Sequence, residues 1–404
     1  MTPSRVGEGQ GGGSPSILTV IALSTFTASL STRSLDPVLP NIADELSITV
    51  ATAAGLSAGT ALTFALVQPA LGAAADFFGK ARLMLVCLVI LGLANIVGAF
   101  TTSYPLLLVT RICCGIGAGG TFPVAMSLIG DLVPMKGRQL ALSRILMGSM
   151  SGNLLGASLS GVIGDLIGWR GVLVLLGVLV LIGAAMVFAG FRRSIAVPRV
   201  PAKLSSLRKG YAEIFSNPNA AICYTAVFVE GVCVLGLFPY LAAFLVELGE
   251  PRLSIAGVVI AGFAIGGLFY TLSVSRLLPR LGVHAMMVSG AVLVASQLAI
   301  IGLGPPWQAQ FVNLVLAGWG FYMLHGSIQV FATDLSVEAR ATALALHSFF
   351  FFMGQAAGPL VYGLLLSRIG KEPTLLAAAF AIVILGVVTA RLLAHPRPRY
   401  GATP

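Results

Sequence analysis

Four ionisable side chains stand within or at the border of long apolar stretches of this chain: Arg33, Asp36, Arg111 and Glu230. An ionised group in hydrocarbon costs about 2.5–3.5 kcal/mol on insertion scales, so such groups usually face a partner or a wet cavity. These residue types can exchange protons, because a carboxylate that pairs with an arginine releases it on taking up a proton. Arg33 and Asp36 are three residues apart, which places them on one face of a helix. Glu230 has no base near it in sequence and is an equal candidate for a proton carrier.

The composition defines the elements that must position these groups. The 404 residues are 57% hydrophobic and 9% charged, which excludes a soluble domain and predicts a polytopic membrane protein. The net charge of +10 could suggest nucleic acid. The bases, however, lie in short segments between apolar runs with no aromatic interleaving, so we expect no nucleic-acid partner.

A transmembrane helix needs about 20 apolar residues. Twelve runs meet this length: 17–40, 50–71, 83–101, 105–129, 139–163, 171–191, 219–246, 253–274, 284–303, 308–331, 341–366 and 374–394. Helices are expected because lipid leaves no backbone group unpaired and alternating strands are absent. The sequence therefore predicts an all-α membrane protein in five parts: a disordered terminus (1–16), a six-helix bundle (17–191), a linker (192–218), a second six-helix bundle (219–394) and a tail (395–404).

The basic residues predict the orientation. With the amino terminus inside, eighteen of the 24 lysines and arginines fall on the inner side and four on the outer side. Cytoplasmic loops of membrane proteins carry such an excess. We therefore expect both termini in the cytoplasm and the protein in a plasma membrane, the inner membrane of a bacterium.

The two bundles repeat in sequence. Arg138 and Arg340 differ by 202 positions, as do the pairs Gly152 and Gly354, Gly156 and Gly358, Gly168 and Gly370, and Pro37 and Pro239. Parallel six-span repeats with a binding site between them are a recurring transporter design.

Four stretches carry a resemblance to a known family. A signature between spans two and three is matched by Gly72, Asp76, Gly79, Lys80 and Arg82, and a first-span signature is matched by residues 30–43. A fourth-span signature is matched by Arg111 with Gly115, Gly117 and Gly119. The fifth-span stretch GSMSGNLLGA, which begins at Gly148, is similar to a further signature. The chain thus resembles the major facilitator superfamily, twelve-span drug/proton antiporter type.

The resemblance implies a cavity between the halves, with spans one and four contributing Arg33, Asp36 and Arg111 to proton coupling. Further cavity candidates are Glu230, Asn153, Tyr240 and Gln355. His325 and His347 fall on different spans, so we do not expect them to pair. For most of these polar groups, an interhelical hydrogen bond is the competing interpretation.

The crossing from Gly72 to Arg82 is predicted to be a polar turn that works as a cytoplasmic gate. Asp76 can bind a helix N-terminus or a neighbouring base when that side is closed. The repeat adds Asp131, Arg138, Asp334 and Arg340 to this gate. The alternative is that Asp76 only caps the turn and that the bases only set topology.

The resulting hypothesis is a secondary transporter, not an enzyme, that exports a small organic compound in exchange for protons by rocking of its two halves. The fifth span has Asn153 where the antiporter pattern has proline, so symport or uniport uptake of an anionic or polar nutrient stays open. No HExxH or paired intramembrane aspartate supports an enzyme. We expect a monomer in contact with lipid, a small-molecule substrate and no cofactor besides the proton.

Overall fold

The computed structural model describes residues 17–133, 135–191, 211–336 and 339–394, and these contain helices and no strand. The helices are α1 Ile17–Leu30, α2 Leu39–Glu45, α3 Val50–Phe78, α4 Lys80–Ala99, α5 Tyr104–Leu132, α6 Met135–Phe191, α7 Pro218–Cys233, α8 Phe238–Glu247, α9 Leu253–Gly302, α10 Trp307–Thr333, α11 Arg340–Ile369 and α12 Lys371–Ala394. Two short 3-10 helices, Asp36–Val38 and Leu235–Leu237, interrupt the series. The terminus 1–16, the tail 395–404 and linker residues 192–210 lie outside the described residues.

Twelve membrane spans account for this series. Nine helical segments of the described chain are long and apolar enough to cross a membrane. Two of them hold two spans each, because α6 turns at Gly168 and α9 at Gly282, where φ is 71° and 72°. Together with the shorter α1, which α2 extends, this gives the predicted all-α fold of twelve spans. Spans one to six are called the amino-terminal half below, and spans seven to twelve the carboxy-terminal half.

The first span differs from the continuous helix that the sequence predicts. Its α-helix ends at Leu30, and the chain passes through turns before the 3-10 helix at Asp36. Pro37 contributes to the interruption, because it has no N–H to donate to the Arg33 carbonyl and its ring would clash with that carbonyl in a continuous α-helix. Arg33 and Asp36 therefore meet across a turn and not on a helical face.

The predicted polar turn from Gly72 to Arg82 is also mostly helical. Helix α3 continues to Phe78 and α4 begins at Lys80, so Gly79 alone reverses the chain, with φ of 88°. Glycine adopts this left-handed geometry without steric cost. The expectation of a tight turn at Gly79 is confirmed, whereas a loop of eleven residues is wrong.

The internal repeat is visible as one packing contact made twice. A Cβ atom at Gly152 would overlap the backbone oxygen of Phe26, and one at Gly354 would overlap that of Phe228. These contacts lie 202 positions apart on both partners. The glycines therefore let span five pack backbone to backbone on span one, and span eleven on span seven, which is why glycine recurs at this offset.

Helix α1 begins at one membrane face, called the amino-terminal face. Spans one, five, seven and eleven end at the other, called the opposite face, and the halves meet there. A Cβ atom at Gly161 would overlap the backbone oxygen of Leu253, and Gly257 packs on the backbone of Ala157. The Ser158 hydroxyl also donates to the Gly257 carbonyl at 3.4 Å. Spans five and eight thus close this face.

Gly161→Ala tests this closure. The added methyl group meets backbone that cannot turn away, so we expect the halves to separate at the opposite face, since overpacking costs about 1–3 kcal/mol. Spin labels at the exposed positions Phe100 and Leu303, one in each half, report the separation in a background without native cysteines. The label distance should increase.

Gly190→Ala is the matched control, because a Cβ atom there would lie 3.8 Å from Val20, an ordinary contact. An unchanged distance in Gly161→Ala would contradict the tight contact between spans five and eight.

Candidate functional site

Asp36 lies buried between the halves, at the break in the first span. Its exposure is 4%. Its Oδ2 lies 3.6 Å from Nη1 of Arg33, and its Oδ1 accepts a hydrogen bond from the Ser57 hydroxyl at 2.9 Å. The Arg33 guanidinium also covers the ring of Phe238 at 4.4 Å. One carboxyl group thus links spans one and two, and its arginine contacts the seventh span of the other half.

Among the described contacts, Arg111 forms no ion pair with Asp36. It is 2% exposed, and it donates to Asn95 Oδ1 at 3.1 Å and to the backbone oxygen of Ala94 at 3.3 Å. Gly98 leaves room for it, because a Cβ there would lie 2.8 Å from Arg111 Nη2. Its described hydrogen-bond partners are neutral and tie span four to span three.

Glu230 has a partner that its sequence neighbours do not reveal. Its Oε2 lies 2.8 Å from Nδ1 of His325, and the His325 ring meets the His347 ring with centroids 5.0 Å apart. The expectation that the two histidines do not pair is therefore wrong. Spans ten and eleven are antiparallel neighbours, so positions at similar depth meet although 22 residues separate them. Two histidines in consecutive apolar spans were the available signal.

The remaining cavity candidates differ in position. Tyr240 is buried and donates its hydroxyl hydrogen to the backbone oxygen of Pro359 at 2.6 Å, which joins spans seven and eleven. Asn153 is half-buried in span five. Gln355 lines the cavity that contains Asp36, and no described residue bonds its buried Oε1.

This cavity has a polar wall and an aromatic end. It is lined by Ser31, Thr32, Asp36, Ser57, Thr60, Ala61, Phe64, Leu91, Cys114, Ala118, Phe352 and Gln355. The rings of Phe64 and Phe352, one from each half, lie 4.4 Å apart. Four hydroxyls, an amide and one carboxyl group offer hydrogen bonds, so the cavity suits a polar molecule with one apolar surface.

Most of the predicted gate lies outside the described side chains: Gly72, Asp76, Asp131, Arg138 and Arg340. The other four gate residues, with Gly79 at the turn, are described. Lys80 begins α4 directly after Gly79, Arg82 is exposed, and Asp334 is exposed at the end of α10. The gate therefore stays a prediction.

A carboxylate that the sequence analysis did not single out caps a helix at the opposite face. Asp165, two residues beyond the end of span five, accepts hydrogen bonds from the N–H groups of Leu253 at 2.9 Å and Ser254 at 2.8 Å, the first residues of span eight. Partial burial alone would raise the pKa of Asp165, but the hydrogen bonds of Ser254 and Leu253 outweigh it and hold the pKa below its usual value. The acid satisfies unpaired helix-end donors across the two halves.

Two bundles of membrane helices with a polar cavity between them define a transporter and not an enzyme. A family model described as Major Facilitator Superfamily matches residues 21–303 and 252–404. The chain belongs to this superfamily, as its motifs predict, and is an integral membrane protein.

Relatives and a solved structure agree. The bacillibactin exporter of Bacillus subtilis is 27% identical over 388 residues, which cover 91% of this chain and 95% of that protein. The purine ribonucleoside efflux pump NepI of Escherichia coli is 24% identical over 316 residues, or 75% of this chain and 76% of that one. A bacterial homolog of the human lysosomal transporter Spinster, in an inward-facing and unoccupied conformation, superposes with a TM-score of 0.79 at 19% identity, covering 94% of this chain and 98% of that one.

Asn95→Ala tests the anchor of Arg111. Loss of a hydrogen bond to a charged group typically costs about 1.5–3 kcal/mol, and the substitution leaves the guanidinium without its side-chain acceptor on span three. We expect a lower midpoint of thermal unfolding in detergent, followed by a dye that reacts with newly exposed cysteines. Ser296→Ala, at an exposed position, is the control. An unchanged midpoint for Asn95→Ala would show that this hydrogen bond does not stabilise the protein.

Asp165 predicts a loosening in acid. A carboxylate with a lowered pKa contributes its full stabilisation above its ordinary value of 3.8 and loses it as pH falls through the lowered pKa. The distance between labels at Phe100 and Leu303 should therefore increase in acid, with its midpoint below pH 3.8.

Asp165→Ala should produce the larger distance already at neutral pH, because it lacks the acceptor. It should also remove most of the acid response. A full acid response in Asp165→Ala would assign the loosening to other carboxylates.

Proposed function

We propose that this transporter exports a small organic compound in exchange for protons, by rocking of its two halves. The observation that carries the proposal is Asp36, a buried carboxyl group that lines the cavity and contacts Arg33 and Ser57. Ionisable residues inside spans are rare and mark ion or substrate pathways. The names of two relatives, an exporter and an efflux pump, support the direction of transport.

Proton binding at Asp36 would change what holds Arg33. In the ionised state, the carboxylate attracts the guanidinium at 3.6 Å. A proton on Oδ2 removes that charge, so Arg33 keeps only weaker partners, among them the Phe238 ring of the other half. Since Arg33 lies where the halves meet, protonation alters the energy of their contact. A proton leaving Asp36 on one side of the membrane and a substrate leaving on the other then complete the cycle.

The cavity favours an uncharged, hydroxyl-bearing substrate. Among its described lining residues Asp36 is the one charged group, which Arg33 balances, and the other polar groups are hydroxyls of serine and threonine and the amide of Gln355. The buried Oε1 of Gln355 has no partner among the described residues and is ready to accept a hydrogen bond from a ligand. A nucleoside, with sugar hydroxyls and a flat base for Phe64 and Phe352, has matching chemistry.

The alternative, uptake of an anion by symport or uniport, has less support. It would use Arg33 and Arg111 together to capture a carboxylate. Arg111 instead donates to Asn95 and Ala94, and Arg33 faces Asp36. An anion would therefore have to displace existing partners of both arginines.

The proposal includes a setting. We infer that the protein lies in a bacterial inner membrane and that its amino-terminal face, with both termini, is on the cytoplasmic side, because the basic residues concentrate at that face. The protein works as a monomer, with the proton as its coupling ion and no other cofactor.

Asp36→Asn in liposomes tests proton coupling. The purified protein is reconstituted with an internal pH dye and an acidic lumen, and inosine, glucose and chloramphenicol are added outside in turn. Antiport predicts that the lumen becomes more alkaline with one of these compounds, since protons leave as the compound enters. Asp36→Asn should reduce this signal to that of protein-free liposomes, because an amide does not take up the proton.

Asp44→Asn is the matched control, since Asp44 is exposed at the end of α2. Movement of a compound without any change in luminal pH, equal in the wild type and Asp36→Asn, would replace antiport with facilitated diffusion.

A further inference from the structure

A second group of ionisable residues lies buried in the carboxy-terminal half, and the exchange at Asp36 does not use it. Glu230 is fully buried in span seven, His325 lies on span ten and His347 is buried on span eleven. Phe321 stacks on the His325 ring with centroids 5.2 Å apart, and Phe351 packs on it at 4.8 Å. Aromatic rings thus enclose the imidazole that contacts the carboxyl group.

The contact between Glu230 and His325 contains one hydrogen. Oε2 and Nδ1 are 2.8 Å apart, and either the carboxyl group or the ring can supply the hydrogen. The pair is neutral as carboxylic acid with imidazole, or as carboxylate with imidazolium. If it loses its exchangeable proton, a net negative charge stays buried, which low-dielectric surroundings strongly oppose. The pair is therefore suited to hold a proton.

Two further atoms can accept a proton or a hydrogen bond. Glu230 Oε1 and His347 Nε2 are buried, and the described residues provide no hydrogen-bond partner for either. Buried polar atoms are normally satisfied, so unpaired ones at a single cluster call for an explanation. One explanation is that these atoms leave room for a second proton.

Aromatic rings connect this cluster to the cavity. Tyr322 lies one turn before His325 on span ten, and its ring meets that of Phe263, with centroids 6.2 Å apart. Phe263 packs edge-on against Phe238, the ring that the Arg33 guanidinium covers. Arg33 in turn contacts Asp36. The cluster and Asp36 are therefore joined across the interface by packed rings and one arginine, and charges interact strongly through such low-dielectric packing.

We propose that Glu230, His325 and His347 form a second proton-binding site, coupled through Arg33 to Asp36. Its part in transport rests on the proposed antiport, but its existence does not. A proton arriving at Asp36 leaves the positive charge of Arg33 unbalanced, which disfavours a second proton at the cluster. The two sites would thus load alternately.

Neighbouring groups could also affect the titration. Tyr322 faces the cluster from span ten, and Tyr270 of span eight stacks on it with centroids 6.4 Å apart. The other ionisable groups of the described packed elements are Cys223, Tyr224 and Cys233 of α7, Tyr362 and Arg368 of α11, and Arg276, Arg280, His284, Lys371, Glu372 and Arg391 of α9 and α12.

The test uses histidine labelled with nitrogen-15, in the purified full-length chain and without substrate. The chain has four histidines, so the spectrum is simple. His284→Gln assigns one signal, and His325→Gln and His347→Gln assign the cluster. In the wild type we expect the His325 Nδ1 signal of a ring bonded to a carboxyl group. Glu230→Gln should change the His325 and His347 signals, whereas Glu247→Gln, at an exposed glutamate, should change neither.

Coupling is tested by Asp36→Asn. At a fixed pH within the titration, the ratio of doubly to singly protonated His325 should fall roughly threefold, as an interaction of about half a pKa unit between the two sites gives. In an Arg33→Gln background this response should disappear, because the positive charge that a neutral residue 36 leaves unbalanced is absent.

Each outcome decides one part. If His325 and His347 titrate in the wild type as independent exposed imidazoles, or if Glu230→Gln leaves His325 unchanged, the second site does not exist. If Glu230→Gln acts but Asp36→Asn does not, the coupling is wrong. If the liposomes show no proton movement while the spectra behave as expected, the antiport fails and the proton site stands.

Discussion

A broken helix in the middle of the bundle is the constraint on which the candidate site depends. The turns between Leu30 and Asp36 leave backbone groups without α-helical partners, and a membrane tolerates such groups only where protein or a wet cavity surrounds them. The break is buried against both halves, and it turns Arg33 toward Asp36. The seventh span is broken in the same way at Leu235–Leu237. The Arg33 guanidinium lies over the ring of Phe238, just beyond that break. Two interrupted helices therefore face each other where the halves meet.

Glycine divides the molecule into parts that hold their shape and a joint that can change. Within each half, glycines bring spans one and five, and seven and eleven, into backbone contact, which leaves little freedom for either pair. Between the halves, the opposite face has similarly close contact at Gly161, together with hydrogen bonds from Ser158 and to Asp165. Since Asp165 lies in an aqueous setting, its bonds to the end of span eight can exchange with water. The joint is thus closely fitted but held by few polar bonds, as rocking requires.

The sequence was sufficient to predict the fold and to single out Asp36 as an ionisable group within the first span. Apolar runs of about 20 residues predict helices because lipid permits little else, and the offset of 202 predicts two halves because glycine contacts repeat with them. The pairing of Glu230 with His325 could not be predicted, because it depends on the relative depth and rotation of spans seven and ten. The helix cap at Asp165 could not be predicted from the sequence either, since its partners are backbone N–H groups 88 and 89 positions away.

The two arginines show how partner chemistry separates a structural charge from a coupling charge. Arg111 and Arg33 both stand where lipid would oppose a free charge. The described hydrogen-bond partners of Arg111 are an amide, a hydroxyl and a backbone oxygen, none of which takes up a proton at neutral pH, so a proton entering the cavity leaves these bonds intact. Arg33 faces a carboxyl group, whose attraction disappears when it is protonated. In the proposed cycle the energy of proton binding therefore passes through the first span, while the fourth-span arginine holds spans three and four together as the halves move.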